Sequence, residues 1–299
     1  MMSAYIHNRE APNQIVLQAR NMAGRNLESL FAKHNEGVQD RFKKFAWVKA
    51  ELTSPSFEHF TFSYKNAVFA VLIDVVSDGG HSLSEREREL LCKEALKYNL
   101  VPCVYEVNVK YEKSSFWRIF DNKVAGKSKY SLIPSFNGWN LKHARTGDLV
   151  NPVDFGKDSD IPMSKWELLN FSIGIVKKYG IEKEGYIFDS FCDVPEFNPQ
   201  VWFHDRNGRR SWVLVRFQPV LNEAEAEKYN DFVERNPHLA PYDGYFAPVS
   251  ATMADPFLCD RNGNLIPLGE RFDGRVPMYR GHGMYANFQR MIQIHKAKS

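Results

Sequence analysis

Two stretches of this chain carry one pattern twice. The first runs from Pro55-Ser56-Phe57 to Val71-Leu72-Ile73-Asp74, and the second from Pro199-Gln200-Val201-Trp202 to Val213-Leu214-Val215-Arg216. Each is a proline, an aromatic-rich strand, a polar turn and a second apolar strand at nearly the same spacing. A pattern repeated at this scale constrains architecture before any chemistry is considered, because each copy must bury the same kind of face. The expectation is an α/β or α+β fold of two similar subdomains, residues 1–148 and 162–299. Each would be a small mixed sheet flanked by helices, either an internal duplication or a reuse of common α/β elements without shared origin.

With 299 residues the chain is long enough for one large domain or two of ordinary size. Aromatic residues make up 14% of it, including 22 Phe and 13 Tyr, which favours β-rich packing over a helical bundle. No apolar run approaches the roughly 18–20 residues that a bilayer span requires, so no membrane partner is expected. Residues 1–10 lack the charged-then-apolar order of a secretory signal. The four cysteines, Cys92, Cys103, Cys192 and Cys259, form no CxxC pair. They suit reduced thiols in a cytoplasmic protein better than a disulfide framework or a structural zinc site.

A formal net charge of +3 is too small to argue for nucleic acid by itself. Its distribution is uneven. Residues 110–145 hold eight Lys or Arg against two acids, and residues 261–299 hold seven against two. Basic segments therefore follow both copies of the repeat, as solvated surface or as an anion-binding face.

Residues 12–50 read as helical, with Leu17, Met22, Leu27, Leu30 and Phe31 as an apolar stripe and Pro12 near the start. Phe60, Phe62 and Tyr64 alternate with Thr61 and Ser63 as a half-buried strand does, Lys65-Asn66 is a turn, and Val68–Ile73 is a central strand covered on both faces. Ser77-Asp78-Gly79-Gly80 breaks that strand. Ser84 and Glu87 form a capping box for a helix ending near Tyr98, before a strand from Val101 to Val107.

The second half follows the same order. A helix from Ser164 is closed by Gly180, a strand opens at Gly185–Phe188, and a hairpin turns at Asp205-Arg206-Asn207-Gly208. An acidic helix Glu223–Arg235 capped by Asn222 follows, then a strand at Tyr245–Val249.

Over roughly residues 164–250 this order of helix, strand, hairpin and helix–strand resembles the PD-(D/E)xK nuclease superfamily, the restriction-endonuclease-like fold. In that family a Pro-Asp begins the first hairpin strand and a (D/E)xK tripeptide lies in the next. The carboxylates hold a divalent metal and the lysine assists the attacking water. Here Pro199-Gln200 stands at the first position and Leu214-Val215-Arg216 at the second. Gln200 is neutral and Leu214 cannot bind metal, so the resemblance implies a site without its metal chemistry. Glu167 matches an accessory acid of some members. In the first copy, Pro55-Ser56 lacks the acid. Asp74, Glu106 and Lys110 form a displaced acidic set that would use Mg²⁺ or Mn²⁺; the competing reading has Asp74 cap the turn at Ser77–Gly80.

Arg280-Gly281-His282-Gly283 is a further candidate, because two glycines free the backbone while Arg280 and His282 offer donors to a phosphate or carboxylate. Trp117, Tyr130 and Trp139 interleave with Lys113, Arg118, Lys127, Lys129 and Lys142, either as stacking residues in a basic groove or as core aromatics flanked by solvated lysines. The expectation is a non-catalytic protein on a nuclease-like scaffold, with no cofactor. It would bind nucleic acid or another anionic partner through Arg216, Arg280, His282, Lys127 and Lys129. The alternatives are a metal-dependent nuclease or phosphodiesterase using Asp74, Glu106 and Lys110, and an assembly factor that docks another protein.

Overall fold

The computed structural model describes residues 3–4, 13–37, 44–49, 57–111, 130–157, 159–255, 264–273 and 277–297. These form two compact units. The described residues of 10–52 and 57–157 make the N-terminal unit, and those of 158–299, with a two-residue strand β1 (Ser3–Ala4), make the C-terminal unit.

The N-terminal unit runs α1 (Gln14–His34), β2 (Phe45–Lys49), β3 (Phe60–Tyr64), β4 (Ala67–Ser77), β5 (Gly80–His81), α2 (Glu85–Lys97), β6 (Val101–Tyr111), β7 (Tyr130–Pro134) and β8 (Leu141–His143). Helix α1 starts where the Asn13 side chain accepts the Ile15 N–H at 2.9 Å, and it buries Ala19, Ala23, Leu27 and Phe31 along one stripe. It ends at Asn35, whose Oδ1 accepts the N–H groups of Lys44 and Phe45 while its Nδ2 donates to Phe45 O at 2.8 Å. The helix expected over 12–50 is therefore shorter. Phe45-Ala46-Trp47-Val48 has aromatic and β-branched side chains, and it pairs with β3 as an edge strand. Helix α2 has the expected capping box, with Ser84 Oγ accepting the Glu87 N–H and the Glu87 carboxylate accepting the Ser84 N–H at 2.8 Å.

The sheet has the order β2-β3-β4-β6-β7, with β5 on β4 and β8 on β6. Strands β4 and β6 are parallel, joined by α2. Alternate residues Phe69, Val71, Ile73, Cys103, Tyr105 and Val107 belong to the core that α1 covers. Ala70, Leu72, Asp74 and Val104 are buried on the opposite face.

The C-terminal unit runs α3 (Lys165–Ile175), β9 (Ile187–Phe191), β10 (Phe197–Asn198), β11 (Val201–His204), β12 (Arg210–Phe217), α4 (Phe232–Arg235), β13 (Asp243–Met253), β14 (Met284–Asn287) and β15 (Ile292–His295). Strand β10 pairs in parallel with β1. Helix α3 continues as a π-helix over Val176–Glu182, and the left-handed residue that follows is Gly185, at φ +74°, not Gly180. Gly180 lies inside the π segment, where a Cβ would stand 3.1 Å from the Phe288 ring. The acidic helix expected over 223–235 is a 3-10 segment, Glu223–Tyr229, followed by the single turn α4, with Asn222 as the cap.

Its sheet has the order β9-β11-β12-β13-β14, with β15 also on β13, and β12 and β13 are parallel. Val201, Phe203, Val213, Val215, Ala247 and Val249 pack with α3, whereas Trp202, Trp212, Leu214 and Phe246 pack with Tyr229, Phe232 and Leu239. Gly244 is required there, since a Cβ would stand 2.1 Å from the buried Trp212 ring.

The two units share one topology: a helix, three sheet strands, a helical crossover, a strand parallel to the third, and two strands on the far edge of that parallel strand. The mixed α/β architecture of two similar subdomains is the one expected. Spatial register moves one anchor of the repeat. The His59 N–H bonds to Val71 O as the Gln200 N–H bonds to Val213 O. The counterpart of Pro199-Gln200 is thus Glu58-His59, not Pro55-Ser56, whose residues lie outside those described. Val71–Asp74 and Val213–Arg216 correspond as expected. The shift comes from matching proline to proline, because the hairpins themselves differ little: Tyr64 pairs with Ala67 across a short turn and His204 with Arg210 across a longer loop, offset by shorter flanking pairing.

Candidate functional site

In each unit the start of the hairpin and the C-terminal ends of the two parallel strands meet at one edge of the sheet, the edge where open α/β sheets place their ligands. In the C-terminal unit that edge holds Asn198, Gln200, Arg216 and Tyr229. Gln200 is fully buried. Its Oε1 accepts the Val215 N–H and Arg216 Nη1, both at 3.0 Å, and its Nε2 donates to Phe197 O at 2.5 Å and Asn198 Oδ1 at 2.8 Å. Arg216 Nη1 also donates to Val215 O, its Nη2 to Asn198 Oδ1 at 2.6 Å, and its Nε to the Tyr229 hydroxyl at 3.0 Å, with the guanidinium 5.3 Å from the Tyr229 ring centre. Every one of these partners is neutral. The arrangement is a positively charged, hydrogen-bonded polar cluster at the sheet edge.

The N-terminal unit repeats this bond with different side chains. His59 Nδ1 accepts the Ile73 N–H at 3.0 Å, as Gln200 Oε1 accepts the Val215 N–H. A guanidinium again stands beside the acceptor: Arg20 Nη2 on α1 lies 2.6 Å from His59 Nε2. Next to it, Lys49 and Glu58 form a buried ion pair at 2.5 Å. Asp74, the counterpart of Arg216, is fully buried and bonded to Arg88 of α2. It also accepts the Leu83 N–H at 3.1 Å and lies 2.6 Å from His81 Nδ1.

Burial pushes the His59 pKa from 6.5 down to about 3, helped by the neighbouring Arg20 and Lys49 charges. The folded protein therefore holds the ring neutral, while the unfolded chain takes up a proton below about pH 6.5. Stability falls as the pH drops through that window, by about 2–3 kcal/mol between roughly pH 6.5 and 4.5 from this group alone. His59→Gln, which copies the acceptor used in the other unit, is expected to flatten this part of the urea-midpoint profile; an unchanged slope would remove His59 as its source.

The other sequence candidates separate. Asp74 and Glu106 are register partners on β4 and β6, and Lys110 lies two alternation steps beyond Glu106. Asp74 is committed to Arg88 and Leu83, Glu106 lies 3.2 Å from Lys142 Nζ, and Lys110 is exposed. Among the described residues no group of three or more His, Cys, Asp or Glu gathers as metal ligands. Arg280 is an interior residue: its Nε and Nη2 bond both carboxylate oxygens of the buried Glu167 at 2.8–3.0 Å, so the charge expected to meet an anion is matched inside the fold. His282 is partly exposed and lies 3.4 Å from Asp160. Lys127 and Lys129 lie outside the described residues. Cys92, Cys103 and Cys192 are buried, and burial raises the Cys103 thiol pKa.

Sequence reading did not single out His59, Arg20, Asn198 or Tyr229. His59 is found only through the spatial register of the hairpins, and Arg20 comes from a helix far from it in sequence.

Fold and site together define a mixed α/β protein of two units with one topology, whose sheet edges carry histidine, glutamine and arginine. A family model described as a domain of unknown function (DUF8840) matches residues 166–294, from the first turn of α3 to β15. No curated protein and no solved structure matches the chain. No helix among the described residues is long and apolar enough to cross a membrane.

Proposed function

We propose that this chain is a non-catalytic binding protein on a duplicated nuclease-like scaffold, recognising nucleic acid or another anionic partner. One observation carries the reading: the two equivalent sheet-edge positions hold Gln200 and His59, each spending its acceptor on a backbone N–H with an arginine alongside. Neither position supplies the carboxylate that a two-acid metal site needs. Arg216 has only neutral partners, so its positive charge persists at the site and favours an anionic ligand.

Retention of labelled single- or double-stranded DNA or RNA that weakens steeply with salt, without cleavage in Mn²⁺, is the expected result. Metal-dependent cleavage would overturn the reading. It would favour the metal-dependent alternative, whose support is the in-register placement of Asp74 beside Glu106.

A further inference from the structure

The same guanidinium-beside-acceptor arrangement occurs in both units, but its hydrogen bonds are completed in only one. Arg216 has four acceptors around it. Among the described residues Arg20 has one hydrogen-bonding neighbour, the His59 ring, while the Glu87 carboxylate acts on it only through space. Its Nε is buried without a hydrogen-bond partner, and its Nη1 bonds no described residue. Arg20 is partly buried, and its sealed Nε is costly, because that N–H has lost water without replacement.

The contact with His59 sharpens the point. With Nδ1 accepting the Ile73 N–H, a neutral ring carries its proton on Nε2, facing Arg20 Nη2. Two donors therefore converge with no hydrogen-bond acceptor between them among the described residues. The nearby Lys49 is already paired with Glu58, so the converging donors belong to Arg20 and His59.

We propose that Arg20 and His59 form a receptor for one phosphate-class oxyanion at the C-terminal edge of β4 and β6, the guanidinium edge gripping two oxygens and His59 Nε2–H donating to one of them. Charge-assisted guanidinium bonds are the strong ones, and the planar fork fits a tetrahedral oxyanion. The same chemistry is offered by a nucleic-acid backbone and by free phosphate. The inference rests on the anion-binding reading above for its macromolecular ligand, but not for the site itself.

The test uses the full chain with two probes. Inorganic phosphate, titrated at low ionic strength, is expected to shift the side-chain NMR signals of His59 in the native protein; no shift overturns the site without any substitution that could disturb folding. Arg20→Gln is expected to abolish that response and to weaken oligonucleotide binding about tenfold, with the salt slope reduced by about one. Oligonucleotide binding equal in native protein and Arg20→Gln would overturn the site as a backbone contact while leaving nucleic-acid recognition intact. A phosphate response in a protein that retains no oligonucleotide would support the site and instead overturn nucleic acid as the partner.

Discussion

Arg280→Met is expected to destabilise the C-terminal unit by about 3–5 kcal/mol, the usual consequence of removing one partner of a buried ion pair. Glu167 and Arg280 side chains are 4% and 3% exposed, and three hydrogen bonds join them. The loss goes beyond missing Coulomb attraction. Glu167 is also the capping-box residue of α3, its Oε2 accepting the Ser164 N–H at 2.8 Å and the Ser164 hydroxyl at 2.7 Å. Without Arg280 its other oxygen is left buried and charged beside a methionine. The check is urea unfolding followed by tryptophan fluorescence, with Trp166, Trp202 and Trp212 reporting from that unit. Glu167→Gln combined with Arg280→Met is expected to recover part of the loss, because the uncompensated charge goes with the second change. A loss below about 1 kcal/mol in the single variant would mean that water reaches the pair.

Asp74→Ala is the second large effect, about 3 kcal/mol in the N-terminal unit. The carboxylate is fully buried, and removing it orphans the Leu83 N–H at the entry to α2 and strands the Arg88 guanidinium. Arg88 is 30% exposed, which moderates the cost. The substitution also bears on function. In a metal-dependent nuclease it would abolish cleavage with little change in folding, whereas the hydrogen bonding of Asp74 predicts lost stability with oligonucleotide binding retained. Measuring urea midpoint and binding on the same preparation separates the two outcomes.

Legibility in the sequence followed the range of the interactions. The capping box at Ser84–Glu87, the Lys65-Asn66 turn and the hairpin at Asn207-Gly208 were all readable, since each is made by residues a few positions apart; the matching box at Ser164–Glu167 was there to be read and was not. The buried run Val68–Ile73 was readable because only a strand covered on both faces tolerates it. The strand at Phe45–Lys49 was not, since its ladder partner is β3 and the apolar stripe of α1 runs up to it.

Arg280 shows the same limit at the candidate site. Flanked by Gly281 and preceding His282, it looks like an exposed anion contact, yet its partner is 113 positions away on α3. The sequence alone determined that the chain is α/β with two similar subdomains, because hydrophobic period, caps and turns are local properties. Tertiary structure decided which residues meet at the sheet edges. Pairing His59 with Gln200 depends on strand register, which a match of proline to proline along the chain does not reveal.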